Sequence, residues 1–133
     1  MKYCADTWFI LGLFHEEAKN IAILNDVKEG KDYLIIPMVV YAEATKKLLQ
    51  RGVSHDIIDL FWQGVEQSDK IQLVELNKQI AQEAARISLS YHVPMVDSFV
   101  ATTAKITDCD ILLASDSDYD ILKKKKYLKV QSW

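Results

Sequence analysis

The sequence has no surplus of positive charge. Its 133 residues carry 16 Lys and Arg against 19 Asp and Glu, a formal net charge of −3. Nucleic-acid binding through bulk charge requires a strongly basic chain, so any nucleic acid must be met by local lysines or across a bound cation. Cysteine is scarce: Cys4 and Cys109 stand far apart, with no CxxC or Cys/His spacing of a zinc site. They read as two thiols in a reducing compartment, with a disulfide possible only if their strands are neighbours. His15, His55 and His92 are scattered without a partner pattern. No apolar run approaches the ~20 residues of a membrane span, and Met1–Asp6 has no hydrophobic signal region, so a cytoplasmic location with no membrane partner is the expectation. With two prolines, four glycines, no repeats and no linker composition, residues 1–133 read as a single domain with a core of its own.

What the chain does have is a regular alternation. Short apolar runs at Tyr3–Ala5, Tyr33–Ile36, Ile71–Glu75, Ile111–Ala114 and Leu128–Val130 read as strands. Between them lie stretches of helical periodicity. Thr7 is a plausible cap for a helix carrying Trp8, Leu11 and Phe14; residues 17–28 place Ile21, Leu24 and Val27 on one side; Pro37 opens a helix with Val40, Ala44 and Leu48 on its face. Ser54 caps the next, and Asn77 starts one whose Ile80, Ala84, Ile87 and Tyr91 form a core-facing stripe. Pro94 breaks that helix, a small-residue helix follows over 96–106, and a short one spans 118–125. Strands alternating with helices predict an α/β fold, a three-layer α/β/α arrangement with a central, mainly parallel sheet of about five strands. Right-handed crossovers then gather all strand carboxyl ends on one edge.

The chemistry concentrates on that edge. The run Ile111–Ala114 ends in Ser115-Asp116-Ser117-Asp118-Tyr119-Asp120, three aspartates within five residues. Ligand sites of open α/β sheets lie at strand carboxyl ends, and carboxylates crowded there repel one another unless a cation intervenes. Asp6 follows the first strand, Glu43 lies about two turns into the helix after the second, and Asp97 sits in the first turn after Pro94. Each has an ordinary explanation. Asp6 can cap a helix, Asp97 can complement a helix dipole, Glu43 can pair with Lys47, and Asp118 and Asp120 can be first-turn helix acids. Four acids from distant segments converging on one sheet edge are less easily explained this way.

Four segments in order resemble the PIN-domain nucleases, in particular the small VapC-type toxins of toxin–antitoxin pairs. They are Ala5-Asp6-Thr7, Val40-Tyr41-Ala42-Glu43, Pro94-Met95-Val96-Asp97 with its alanine-rich continuation to Ala104, and Leu112-Leu113-Ala114-Ser115-Asp116-Ser117-Asp118-Tyr119. The likeness covers essentially the whole chain. It departs from the family at Ala114, where a threonine or serine hydroxyl is usual, and at Tyr119, where phenylalanine is usual.

The resemblance implies an acidic centre of Asp6, Glu43, Asp97 and Asp116. Asp6, Asp97, Asp116 and Asp118 are then the candidate metal ligands. Oxygen-only donors suit Mg²⁺ or Mn²⁺, and the implied activity is hydrolysis of RNA phosphodiesters, leaving a 5′-phosphate and a 3′-hydroxyl. A cognate antitoxin and a homodimer are the implied partners. Lys46, Lys47, Arg51 and Lys105 are candidates for nucleic-acid contact, while the run Lys123–Lys126 reads first as a solvated helix end. The competing reading is a catalytically inactive PIN-fold module that binds RNA or protein, against which the retention of the acids speaks. A dehalogenase-type phosphotransfer domain wants Asp-x-Asp after the first strand, and Asp6 is followed here by Thr7-Trp8.

Overall fold

The computed structural model describes residues 1–115 and 117–131. Five strands alternate with helices in the order β1 (Lys2–Ala5), α1 (Thr7–Phe14), α2 (Ala18–Lys28), β2 (Tyr33–Pro37), α3 (Met38–Gln50), α4 (His55–Gln67), β3 (Ile71–Val74), α5 (Lys78–Tyr91), α6 (Met95–Ile106) and β4 (Ile111–Leu113). A 3₁₀ turn (Ser117–Tyr119), α7 (Asp120–Lys124) and β5 (Val130–Gln131) complete it. All strands run parallel, in the order β3-β2-β1-β4-β5. The sheet is thus the central parallel layer of an α/β/α fold. The chain winds outward from β1 in one direction through β2 and β3, and in the other through β4 and β5. The winding reverses between β1 and β4, the crevice where doubly wound sheets bind ligands.

The middle strands are buried on both faces, which is why they are apolar at every position rather than at alternate ones. Cys4, Ala5, Ile36, Leu113 and Ala114 have no exposed surface. The helical stripes bury as their spacing requires: Val40, Ala44 and Leu48 on α3, and Ile80, Ala84 and Ile87 on α5. On α4, Ile58, Trp62 and Val65 face inward; Trp62 stacks on Tyr41 at 4.3 Å between centroids and donates its indole N–H to Thr45 Oγ1 at 3.0 Å. Trp62 is therefore a core residue, and Phe61 is half-buried beside Phe14.

Two local expectations shift. Asp6, not Thr7, caps α1, because its carboxylate accepts from the Trp8 N–H at 2.8 Å. The inward face of α2 is centred on Asn20, Ile23 and Val27, with Ile21 and Leu24 at its margins. Asn20 is buried because its amide donates to the Phe9 carbonyl at 3.0 Å, and Gly12 leaves the space it occupies. Cys4 and Cys109 are both free thiols, as their sequence reading has it, although their segments are neighbours.

Candidate metal centre at the carboxyl edge of the sheet

Asp6 is placed by two neighbouring strands. It ends β1, and its N–H donates to the carbonyl of Leu113 at the end of β4, 3.2 Å away. Its side chain turns back to cap α1 and is only 6 % exposed. Carboxylates are rarely so buried without a cationic partner. Its carboxyl is pushed up to about 7, first by burial and then by the negative charges of Asp97 and Glu43, with the Trp8 and Phe9 N–H groups pulling the other way. Both charges that act on it from the described residues are negative. This is an electrostatic strain that a cation would relieve.

Asp97 is fixed by the start of α6. The Val93 carbonyl accepts hydroxyls from Ser88 at 2.7 Å and Ser98 at 3.2 Å, pinning the loop that leads into Pro94, and Asp97 falls in the first turn beyond. Half-buried, it accepts a hydrogen bond from the Tyr119 hydroxyl at 3.2 Å. Tyr119 is 1 % exposed, and burial followed by the charges of Asp6 and Asp97 drives its phenol well above the ordinary range, so it stays a neutral donor. From the sequence, Tyr119 stands out only as a departure from the usual phenylalanine. The available signal was the hydroxyl itself, since a buried tyrosine usually finds a partner for it.

Glu43 lies one residue before the buried Ala44 on α3 and is half-buried. Its pairing with Lys47 is not among the ion pairs of the described residues, and its charge reaches Asp6 instead. Asp118 is exposed on the 3₁₀ turn. Asp116, the expected fourth member, lies outside the described residues; Ala114 before it is fully buried and bonded through its N–H to the Gln131 carbonyl at 3.1 Å. The negative charges of Asp97 and Glu43 thus both reach Asp6. Among the described residues no three such groups form a ready-made metal cage.

The candidate cations divide. Lys46 and Lys47 are exposed on α3, three and four residues beyond Glu43, one helical turn away. Arg51 is engaged with the His15 ring at 2.5 Å, tying the end of α3 to the end of α1. Lys105 is eight residues beyond Asp97 on α6, about 12 Å along the axis, and it donates to the Tyr127 carbonyl at 2.9 Å. It stands at the far end of the helix from the carboxylates.

The donor set fits a hard cation. The three carboxylates that interact are oxygen donors, with no thiol or imidazole among them, and that chemistry belongs to Mg²⁺ and Mn²⁺.

Solved structures share this architecture. The VapBC2 complex of Rickettsia felis, bound to a DNA fragment from its promoter, superposes with a TM-score of 0.72 at 13 % identity, covering 100 % of this chain and 99 % of that one. A toxin–antitoxin complex from Klebsiella pneumoniae gives 0.69 at 13 % identity over 88 % and 89 % of the two chains. VapBC-1 of nontypeable Haemophilus influenzae gives 0.64 at 17 % identity over 100 % and 98 %. No curated protein matches the sequence. At these identities the likeness is one of fold. The match of residues 3–125 to the PIN domain, spanning every element from β1 through α7, settles the family: the chain belongs to the PIN-domain family.

Proposed function

We propose that the protein is a Mg²⁺- or Mn²⁺-dependent endoribonuclease of the cytoplasm and the toxin of a toxin–antitoxin pair. The observation that supports it best is Asp6: a buried carboxylate facing two further acids is costly to the fold and is explained by a cation it is built to hold. Asp6, Asp97 and Asp116 would hold the ion, with Asp118 as a further ligand and Glu43 beside them. When bound, the ion supplies positive charge against the scissile phosphate and lowers the pKa of water.

The chain's own groups do the positioning. The α1 cap fixes Asp6 Oδ1 on the Trp8 N–H. The Tyr119 hydroxyl holds one Asp97 oxygen. Glu43, half-buried at the mouth, orients the attacking water. Water oxygen joins phosphorus, the bond to the 3′-oxygen breaks, and that oxygen leaves as a hydroxyl. Lys46 and Lys47 meet the RNA backbone beside an otherwise repelling site. An antitoxin and a second copy of the chain are the proposed protein partners, in line with the toxin–antitoxin complexes that share the fold.

RNA cleavage by the purified protein tests this. Cleavage should require Mg²⁺ or Mn²⁺, stop with chelator, and fall at least 10²-fold in Asp97→Asn. Cleavage that survives chelation refutes the reading. RNA binding without cleavage by the metal-loaded protein favours the inactive module instead.

A further inference from the structure

At the opposite edge of the sheet from the carboxylates, an open groove of about 1140 Å³ is walled by the end of α6, the turn before β4 and the segment from α7 into β5. Met1 before β1, Asp110 before β4 and Lys129 before β5 all line it. Lys105, Lys123, Lys126 and Lys129 stand round it against Asp108 and Asp110, and the exposed Lys124 and Lys125 extend the run. Positive charge is thus concentrated here in a chain whose net charge is −3.

The ordinary work of lysines at a helix end is to meet its last carbonyls. At α7 the backbone already does this: the carbonyls of Ile121, Lys123 and Leu122 accept the N–H groups of Lys125, Lys126 and Tyr127 at 2.9, 3.1 and 2.9 Å. Lys105 does meet a carbonyl, that of Tyr127 at 2.9 Å. The ion pairs of the described residues include none of these lysines. Nor is Asp110 free to balance them, since its carboxylate accepts the Lys2 N–H at 2.7 Å. Lys126 has a φ of 58°, the left-handed region where glycine or asparagine costs less. A lysine held there sets its charge at the groove wall against backbone strain. Like charges gathered without counter-charges repel one another until an anion neutralises them.

We propose that this groove is a second RNA-docking site, holding the phosphate backbone of a substrate beyond the stretch being cut. The choice of RNA as occupant rests on the ribonuclease reading. Lysines meet phosphates as point charges. An acidic peptide would want apolar pockets as well, and here Ile111, Leu128 and Val130 are packed against the core, leaving Met1 as the exposed large apolar residue of the lining. Met1 and Asp6 stand at the two ends of β1, about 16 Å apart at the rise of a strand. A stacked strand of nucleic acid advances about 3.4 Å per nucleotide. RNA lying in the metal site must therefore continue for at least about five nucleotides to reach the groove. The groove takes no part in bond cleavage and favours long RNA over short.

The test combines Lys123→Ala, Lys126→Asn and Lys129→Ala in the full chain, asparagine being at ease in the left-handed turn. A control combines Lys28→Ala, Lys31→Ala and Lys78→Ala, all exposed and outside the groove, and so removes the same charge elsewhere. Binding is read by fluorescence anisotropy in chelator with a single-stranded RNA of about 30 nucleotides, long enough to span both edges. Cleavage is read in Mn²⁺ with that RNA and with a tetranucleotide. The groove variant should bind the long RNA at least about tenfold more weakly than wild type, with a salt slope lower by about two, the share of three phosphate contacts on a single strand. Its KM for the long RNA should rise while tetranucleotide cleavage is unchanged, and the control should behave as wild type. Wild-type binding in the groove variant, an equal loss in the control, or an equal loss of tetranucleotide cleavage would each overturn the proposal. So would polyglutamate that displaces the RNA from wild type as effectively as unlabelled RNA at matched charge. If metal supports cleavage of neither RNA, the ribonuclease reading fails, and the anisotropy measurements still decide the groove.

Discussion

Asp6→Asn should make the metal-free protein more stable while removing its activity. The side chain loses its charge but keeps its shape, and asparagine caps a helix about as well as aspartate, so the bond from the Trp8 N–H survives. What disappears is the cost of carrying a carboxylate from its ordinary 3.8 to about 7. At about 1.4 kcal/mol for each tenfold change in proton affinity, that cost is on the order of 4 kcal/mol at neutral pH. The sign follows from the protons. Between about pH 4 and 7 the folded chain keeps a proton that the unfolded chain has released, so folding stability declines as pH rises through this window and levels off above it. The difference between wild type and variant isolates this contribution from every other titrating group. Urea denaturation in chelator from pH 4.5 to 8 measures it. The two curves should nearly coincide at the acid end and diverge with rising pH, with Asp6→Asn ahead by about 2–4 kcal/mol at pH 7.5, allowing for some relaxation around the charge. For a chain of this size that is roughly 8–15 °C in Tm. Added Mg²⁺ should narrow the gap by stabilising wild type alone, by about 2.7 kcal/mol when the ion is at a hundred times its Kd. A variant that is no more stable than wild type, or a gap that does not grow with pH, would refute the reasoning.

Other expectations follow from single contacts. Tyr119→Phe removes the hydroxyl that Asp97 accepts; Mn²⁺ affinity by calorimetry should fall roughly tenfold, as for other groups that orient a metal ligand, while far-UV circular dichroism is unchanged. Gly12→Ala drives a Cβ into the Asn20 amide and displaces it from the Phe9 carbonyl; thermal denaturation should show a loss of about 1–3 kcal/mol, from overpacking and a broken buried hydrogen bond. Lys46→Ala with Lys47→Ala should weaken RNA binding and flatten its salt dependence by about two phosphate contacts, while single-turnover cleavage at saturating enzyme changes little.

The layers of the fold were legible because their causes are local. Apolar runs without alternation at Ile35-Ile36 and Leu112-Leu113 demand burial on both faces, and only parallel strands under helices provide that. The stripe Ile80, Ala84, Ile87 and the caps Ser54 and Asn77 are set by helix geometry alone. Strand order was not legible, because nothing in β1 names β2 and β4 as its neighbours. Nor was the buried Asn20, whose only justification is a carbonyl on another helix. At the site, Asp6, Glu43 and Asp97 could be picked out because polar residues set among apolar ones need a reason. The partner of Tyr119 could not, since the side chain that meets it lies 22 residues away. Lys105 shows the limit of reasoning by shared helix: eight residues separate it from Asp97, enough to place it at the other edge of the sheet.

A crystal grown in Mn²⁺ and measured for anomalous scattering tests the central claim most directly. An anomalous peak within coordinating reach of the carboxylates of Asp6, Asp97 and Asp116 is the expected result. A map with no peak at that edge of the sheet under saturating Mn²⁺, or a peak that persists there in Asp6→Asn with Asp97→Asn, would contradict it.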